Sequence, residues 1–231
     1  MSSLNVDRVS LLRQVPLFAS VQSDWLNELA NRLTPRNYKR GETIFHKDDP
    51  GASLYIISSG QVKIATTSPE GEEVILAILT EGGFFGELSL LDGRTRSASA
   101  TAMEATQTLT LHRADLLEAI GKRPEMASDL LAALSDRLRR TDLLLEDAIF
   151  LDLPARLAKR LLELGEEHGI RTEQGLEIEL RLTQQDLANF VGASRVAVNK
   201  LLGVFQDKGL IKLDKHKLII LSGDDLRRQV G

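Results

Sequence analysis

The sequence predicts an α+β chain built in three parts. Short N-terminal helices lead into a compact antiparallel barrel or sandwich, one long helix follows, and a small unit of helices and a hairpin ends the chain. Three observations carry this. Short runs of strand type recur from Thr43 to Leu111 with turn residues between them. A 4,3 apolar spacing then runs from about Pro124 to Leu151. Finally, two helical stripes separated by a glycine precede two short apolar runs between Thr183 and Leu221. The boundaries these patterns set are 1–123, 124–151 and 152–231.

Composition narrows the function classes. A chain of 231 residues suits two small domains, and 42% hydrophobic with 27% charged residues is ordinary for a water-soluble fold. No run of about 18 apolar residues occurs, so no membrane span or membrane partner is expected. Residues 1–7 (MSSLNVD) lack a basic start and an apolar core, so the expectation is a cytoplasmic protein. The absence of cysteine excludes disulfides, thiolate metal sites and Cys-held clusters. A net charge of −4 argues against nucleic acid only on average, because residues 181–218 hold seven Lys/Arg (Arg181, Arg195, Lys200, Lys208, Lys212, Lys215, Lys217) against three acids, a local +4. A stretch like that is also compatible with a plain solvated face.

Helical spacing of Trp25, Leu26, Leu29, Ala30 and Leu33 predicts short helices over 8–33, broken at Pro16. Strands are predicted at Thr43–His46, Leu54–Ile57, Val62–Ala65, Val74–Leu79, Ser97–Ala102 and Thr106–Leu111. Between them lie Asp48-Asp49-Pro50-Gly51, Ser58-Ser59-Gly60 and Ser68-Pro69-Glu70-Gly71, all turn chemistry.

Residues 84–98 (FFGELSLLDGRTRSA) interrupt the β pattern and organise the rest. Gly82, Gly83 and Gly86 allow close backbone approach, and a short helix can start after Gly86, its first amides forming an anion site. Arg96 adds a planar cationic fork suited to phosphate oxygens, while Glu87 accepts from a hydroxyl and repels a phosphate. A ribose-phosphate asks for that combination.

In the long helix Leu130, Leu134, Arg137, Thr141, Leu144, Ala148 and Leu151 form a heptad seam on which two copies can pair as a homodimer. Arg137 and Thr141 are polar breaks in it: either they set register, or the seam opens there onto a polar ligand. Asp152 before Leu153-Pro154 marks a new helix start, which places a hinge at 150–153 and a helix from Ala155 to about Glu167. Leu176 to Leu182 alternates as a half-buried strand.

Thr183 and Ser194 are good N-caps for two helices joined at Gly192. In the second, Val198, Leu201, Leu202 and Phe205 make the buried stripe, and Arg195, Val196, Asn199, Lys200 and Gly203 make the opposite one. That face offers what major-groove base edges and phosphates require. Leu210–Leu213 and Leu218–Leu221, joined through Asp214-Lys215-His216-Lys217, make a hairpin, so the module is a winged helix-turn-helix. Basic residues in both helix and wing favour double-stranded DNA over a protein partner.

Taken together, the β-roll, the cassette from Gly86-Glu87-Leu88 to Arg96-Ser97-Ala98, the long helix and Gly192-Ala193-Ser194-Arg195 resemble the CRP/FNR family of bacterial transcription regulators over nearly the whole chain. The resemblance implies that the strands form an antiparallel, jelly-roll-like β-roll that is a cyclic-nucleotide-binding domain. It places Glu87 on the ribose 2′-hydroxyl and Arg96, Ser97 and the amides of Gly86 and Leu88 on the cyclic phosphate. It places Arg137 near the cassette Glu and Thr141 at the purine. It also implies a long dimerisation helix, a palindromic operator contacted by Thr183, Gln185, Ser194, Arg195, Val196, Asn199 and Lys200, RNA polymerase as a partner, and cAMP as allosteric effector with no metal or covalent cofactor.

Two departures bear on specificity. Asp142 stands where the family's namesake has a Ser reaching the purine of the partner subunit's ligand. A carboxylate accepts from the adenine amino group and pairs better with guanine's two donors, which keeps cGMP or another nucleotide open. Val196 replaces a Glu that reads cytosine, and a valine touches only methyls, so the operator should differ there. A regulator that keeps the cassette but needs no ligand is the serious rival. A haem sensor is disfavoured because His46, His112, His168 and His216 are scattered, and an enzyme because no nucleophile–base set appears.

Overall fold

The computed structural model describes residues 3–178, 180, 182–214 and 217–230, with side chains from Arg8 onward. The N-terminal helical spacing forms α1 (Ser3–Leu12) and α2 (Ser23–Arg32), joined through a 3₁₀ turn at Pro16–Phe18. Eight strands follow: β1 (Thr34–Tyr38), β2 (Thr43–Phe45), β3 (Ser53–Ser59), β4 (Val62–Thr67), β5 (Glu73–Leu79), β6 (Phe84–Phe85), β7 (Ser99–Ala102) and β8 (Thr106–His112). Helix α3 (Glu87–Asp92) separates β6 from β7, and α4 (Arg113–Lys122) and α5 (Glu125–Phe150) come after β8. The C-terminal order is α6 (Leu153–His168), β9 (Gly169–Thr172), β10 (Gly175–Ile178), α7 (Gln184–Val191), α8 (Arg195–Asp207), β11 (Ile211–Asp214), β12 (Lys217–Ile220) and α9 (Gly223–Arg227). The chain divides into two compact units, residues 1–66 with 76–140, and residues 67–75 with 141–231. Among the described residues no helix is long and apolar enough to cross a membrane.

The first unit is the predicted antiparallel roll, with sheet orders β1-β8-β3-β6 and β2-β7-β4-β5. The apolar run in β3 explains how it is filled. Successive side chains leave a strand on opposite faces. Leu54 and Ile56 therefore join Leu109 and Leu111 of β8 in a core closed by Leu12, Phe18, Leu26, Leu29, Leu116, Met126 and Leu130 from the helices. Ile57 turns the other way, into a smaller core with Val62, Phe85 and Ala100. Both faces of β3 are thus buried, and the strand needs no polar alternation.

Several elements had no signal in the sequence, among them β1, α4 and β9. β1 is an almost wholly exposed run containing Pro35. It holds its place by pairing with β8, from Thr34 opposite Thr110 to Tyr38 opposite Thr106. Pro35 is tolerated because β1 is an edge strand. Helix α4 is short, and its buried side chains Leu116 and Ala119 are too few to show a period. β9 pairs with β10 across a tight turn, Thr172 opposite Gly175, so the chain after Gly169 is a hairpin rather than a loop. The strand expected to begin at Ser97 begins at Ser99, because Arg96 pairs with the loop before β3 instead: its N–H donates to Asp49 O at 2.9 Å and its carbonyl accepts from Asp48 N at 2.9 Å.

The long helix gives the first positions of the expected seam another role. Leu130 is buried and Leu134 packs against the helix-side core, so that side of α5 is taken up by its own unit. Leu143 and Phe150 are exposed, and one stripe over from Leu130 lie Leu131, Leu138, Leu145 and Ile149, each more than 60% accessible. They fall at steps of 7, 7 and 4 with Asp142 between Leu138 and Leu145, a heptad seam in its own right.

In the second unit Asp152 caps α6, its Oδ1 accepting from Ala155 N at 2.9 Å, with Pro154 in the first turn. Leu157, Ala158, Leu161 and Leu164 of α6, Leu187 and Val191 of α7, Val198, Leu202 and Phe205 of α8, and Leu218 and Ile220 of β12 are all buried. Its sheet has the order β11-β12-β10-β9, so the wing hairpin is continuous with the β9–β10 hairpin. Of the expected basic stretch, Arg181 and Lys215 lie outside the described residues, as do His216 of the wing turn and Glu179 of the expected 176–182 strand.

Candidate nucleotide site and nucleic-acid interface

The interrupted β pattern does what the residue types suggested. Gly86 takes φ +82° and caps α3, letting the chain leave β6 and turn at once into the helix. A cleft opens there against α5. Its polar wall is Glu87, Ser89, Arg96, Ser97 and Arg137, and its apolar wall is Phe45, Ile64, Phe85, Leu88 and Ala98. The first amides of α3 have no partner within the helix.

Arg96 is buried, 4% exposed, in the middle of this wall. Its Nη1 donates to Gly86 O at 2.7 Å and to Ser89 Oγ at 2.8 Å, and its Nη2 donates to Ser53 O at 2.9 Å. The guanidinium carbon lies 4.2 Å from the centroid of Phe45 and 5.6 Å from that of Tyr55. Tyr55 stacks in turn on Phe85 at 5.1 Å. Burial pushes the guanidinium pKa below its ordinary value, opposed by Tyr55, Glu87 and Asp49. A charge held with only neutral acceptors in hydrogen-bond contact is a charge that an anion would relieve. Its Nε–H is buried and has no partner.

Glu87 is fully buried. Its Oε1 accepts from Arg137 Nη1 of α5, and Arg137 Nη2 also donates to Phe84 O at 3.1 Å. Its Oε2 is buried without a partner. The cavity therefore holds one orphaned acceptor, at Glu87, and one orphaned donor, at Arg96. Buried polar groups are normally paired, and these two leave the carboxylate and the guanidinium each short of one partner.

Of the predicted ligand residues, Gly86, Glu87, Leu88, Arg96, Ser97 and Arg137 line this cavity. Thr141 and Asp142 are exposed on α5 and are not among its lining residues. The sequence reading missed Ser89, a buried hydroxyl on the wall. Its signal was a single polar residue inside the apolar run Leu88-Ser89-Leu90-Leu91, three residues after the capping glycine.

The second candidate surface is α7–α8. Thr183 and Asp186 form a capping box at the start of α7. Gly192 at φ +61° ends that helix, and Ser194 Oγ accepts from Ala197 N at 3.2 Å to start α8. The Thr183 and Ser194 hydroxyls thus fix helix starts. Gln185 is exposed and donates to Asn189 Oδ1 at 2.7 Å. Arg195, Val196 and Lys200 are exposed along α8, Val196 at 80%. Asn199 is half-buried, with its Oδ1 buried and unpartnered. In the wing Lys217 pairs with Glu177 at 2.6 Å.

Residues 35–123 match the model of the cyclic nucleotide-binding domain, and residues 155–229 match the Crp-like helix-turn-helix domain. The CRP-like cAMP-activated global transcriptional regulator of Mycobacterium tuberculosis is 38% identical over 95% of this chain and 98% of its own length. The chain belongs to the CRP/FNR family. Another member, the cyclic AMP receptor protein of Thermus thermophilus, is 36% identical over 86% of this chain and 88% of its own. The global nitrogen regulator of Synechococcus elongatus is 34% identical over 85% and 90%. Among solved structures, the Thermus thermophilus catabolite activator protein is 33% identical, with a TM-score of 0.54 over 93% of this chain and 98% of its own. The fold alone is shared with Bradyrhizobium japonicum FixK2, 20% identical, with a TM-score of 0.77 over 86% and 98%. As a CRP/FNR member the chain is a DNA-binding transcription regulator carrying a cyclic nucleotide-binding domain, and its relatives are regulators rather than enzymes.

Proposed function

We propose that this regulator is a homodimer whose binding to a palindromic operator is controlled by cAMP held in the β-roll cavity. The observation that carries the reading is a buried carboxylate, Glu87, and a buried guanidinium, Arg96, on one wall of the cavity. The first suits a ribose 2′-hydroxyl, and the second, with the amides of Gly86 and Leu88 and the Ser97 hydroxyl, suits a cyclic phosphate. Relatives named for activation by cAMP support the choice of nucleotide.

Arg137 connects the cavity to the long helix, since it pairs with Glu87 and extends from α5. A nucleotide that engages Glu87 acts on that link, and through it on the helix that carries the exposed Leu131, Leu138, Leu145 and Ile149 seam. Thr141 sits one turn beyond Arg137, at the purine, and Asp142 lies in the seam, where a second copy would bring it to the partner's ligand. Paired helices of this kind set two α8 recognition helices about 34 Å apart, the spacing of successive major grooves. There Arg195, Val196, Asn199 and Lys200 read base edges, Thr183, Gln185 and Ser194 position the module on the backbone, and RNA polymerase is the downstream partner in the cytoplasm. Asp142 makes cGMP the alternative effector, through guanine's two donors.

Calorimetric titration of the full chain with cAMP and with cGMP tests this. Binding of at least one nucleotide, lost in Arg96→Ala, is the expected result, and the tighter of the two identifies the effector. Failure of both to bind contradicts the assignment of the cavity.

A further inference from the structure

The sequence places a hinge at 150–153, yet α5 and α6 are joined through Leu151 and Asp152 alone, and this elbow is braced. Lys159 of α6 reaches back to Asp147 of α5, Nζ to Oδ1 at 2.5 Å. Their side chains are 27% and 14% exposed, so the pair is largely shielded from water and salt. Arg156 closes the same corner. Its Nη1 donates to Leu151 O at 2.9 Å, in the elbow itself, and its Nε donates to Val191 O at 3.3 Å, at the end of α7. A cation suits the carbonyls that a helix end leaves over.

Helix α6 is tied to the helix-turn-helix as well. The Arg160 guanidinium carbon stands 5.0 Å from the ring centroid of Phe190 in α7, and Arg160 pairs with Glu163 at 2.9 Å. The end of α5, α6 and α7 all lie in the second unit. Helix α6 spans 16 residues, about 24 Å, so a swing of about 8° at the elbow carries its far end by about 3.4 Å, one base-pair step of DNA. The angle at which α6 leaves α5 therefore matters on the scale of a single base pair.

We propose that Asp147 and Lys159 are positioning residues for operator recognition: their ion pair fixes the elbow, and with it the distance between the two α8 helices of a dimer. Both act through α6 rather than on DNA. What the pair sets is the half-site spacing that the dimer accepts. A two-residue connection without the brace would let each module swing, and the dimer would then engage several spacings. The inference rests on the homodimer and palindromic-operator reading, and it goes beyond that reading by naming what measures the spacing.

The test uses the full chain in saturating cAMP and a selected palindrome, with one base pair added or removed between the half-sites. Two linked modules lose their joint affinity when geometry forbids simultaneous engagement, so the wild type should lose at least about tenfold on either altered operator. Lys159→Met, which keeps the apolar stem, and Asp147→Ala should bind all three operators within about threefold of one another, and should bind an isolated half-site as the wild type does. The half-site readout is the one that a merely structural loss would move. The charge swap, Asp147→Lys with Lys159→Asp, should restore the spacing preference. A urea midpoint for each variant separates unfolding from altered geometry, and either single variant serves if the other fails to fold. Folded single variants that keep the wild-type spacing preference, or a folded swap that fails to restore it, overturn the ion-pair role alone. A wild type that sediments as a monomer, or that binds the palindrome no tighter than one half-site, overturns the dimer reading and this inference with it.

Discussion

Glu87→Gln is the sharpest single-atom test of how the cavity holds a sugar. The substitution keeps the shape of a fully buried side chain, and its remaining carbonyl can still accept from Arg137. What it changes is the oxygen without a partner. A hydroxyl donating to an ionised acceptor contributes about 1.5–3 kcal/mol, against about 0.5–1.5 for a neutral one, so the loss is about 1–1.5 kcal/mol, or roughly a tenfold rise in Kd. The amide also weakens the Arg137 pair, which would lower affinity by a route unrelated to the sugar. A cycle with the 2′-deoxy nucleotide removes that part, since the deoxy ligand has no hydroxyl to donate. In calorimetry the wild type should lose roughly 10–150-fold between the ribo and deoxy ligands, and Glu87→Gln roughly 2–10-fold. If the mutant weakens both ligands equally and leaves their ratio at the wild-type value, Glu87 does not hold the 2′-hydroxyl.

Other parts of the molecule carry their own expectations. Leu138→Glu and Leu145→Glu alter exposed positions of α5 and so leave the monomer's core intact; sedimentation should show the dimer giving way to monomer, and an unchanged dimer would move the seam elsewhere. Val196→Glu restores an acceptor at an 80% exposed position of α8; operator selection should then shift toward cytosine at one base pair of each half-site, with about 1–3 kcal/mol of discrimination. Asp152→Ala removes the cap of α6 and should cost about 0.5–2 kcal/mol in urea unfolding, read as a lower midpoint at unchanged slope.

Most of the architecture was legible because it rests on local chemistry. The cassette turns on Gly86, whose positive φ and the helix start after it follow from residue type. The caps at Asp152, Thr183 and Ser194 fell where short polar side chains precede apolar stripes. Legibility failed where a position is decided by a distant partner. β1 exists because β8 offers an edge, and nothing in residues 34–38 signals it. Leu130 and Leu131 are adjacent and chemically identical, yet one is buried in the core and the other exposed. Periodicity places both on a helix without saying which stripe the β-roll will claim. The same holds in the cavity. Glu87 and Arg96 could be named from their chemistry, whereas Ser89 and Gly51 matter only because the fold brings them to one guanidinium.

In the proposed mechanism the nucleotide in the cavity governs the grip of α8 on DNA. Fluorescence anisotropy of the full chain on a selected operator, titrated with and without saturating nucleotide at fixed salt, measures that coupling directly. A coupling free energy of about 1–3 kcal/mol corresponds to roughly 5–150-fold tighter operator binding with nucleotide present, and Arg96→Ala should abolish the difference while keeping the salt-sensitive nonspecific component. Superimposable isotherms with and without cAMP or cGMP, on a protein that calorimetry shows to bind them, would contradict it.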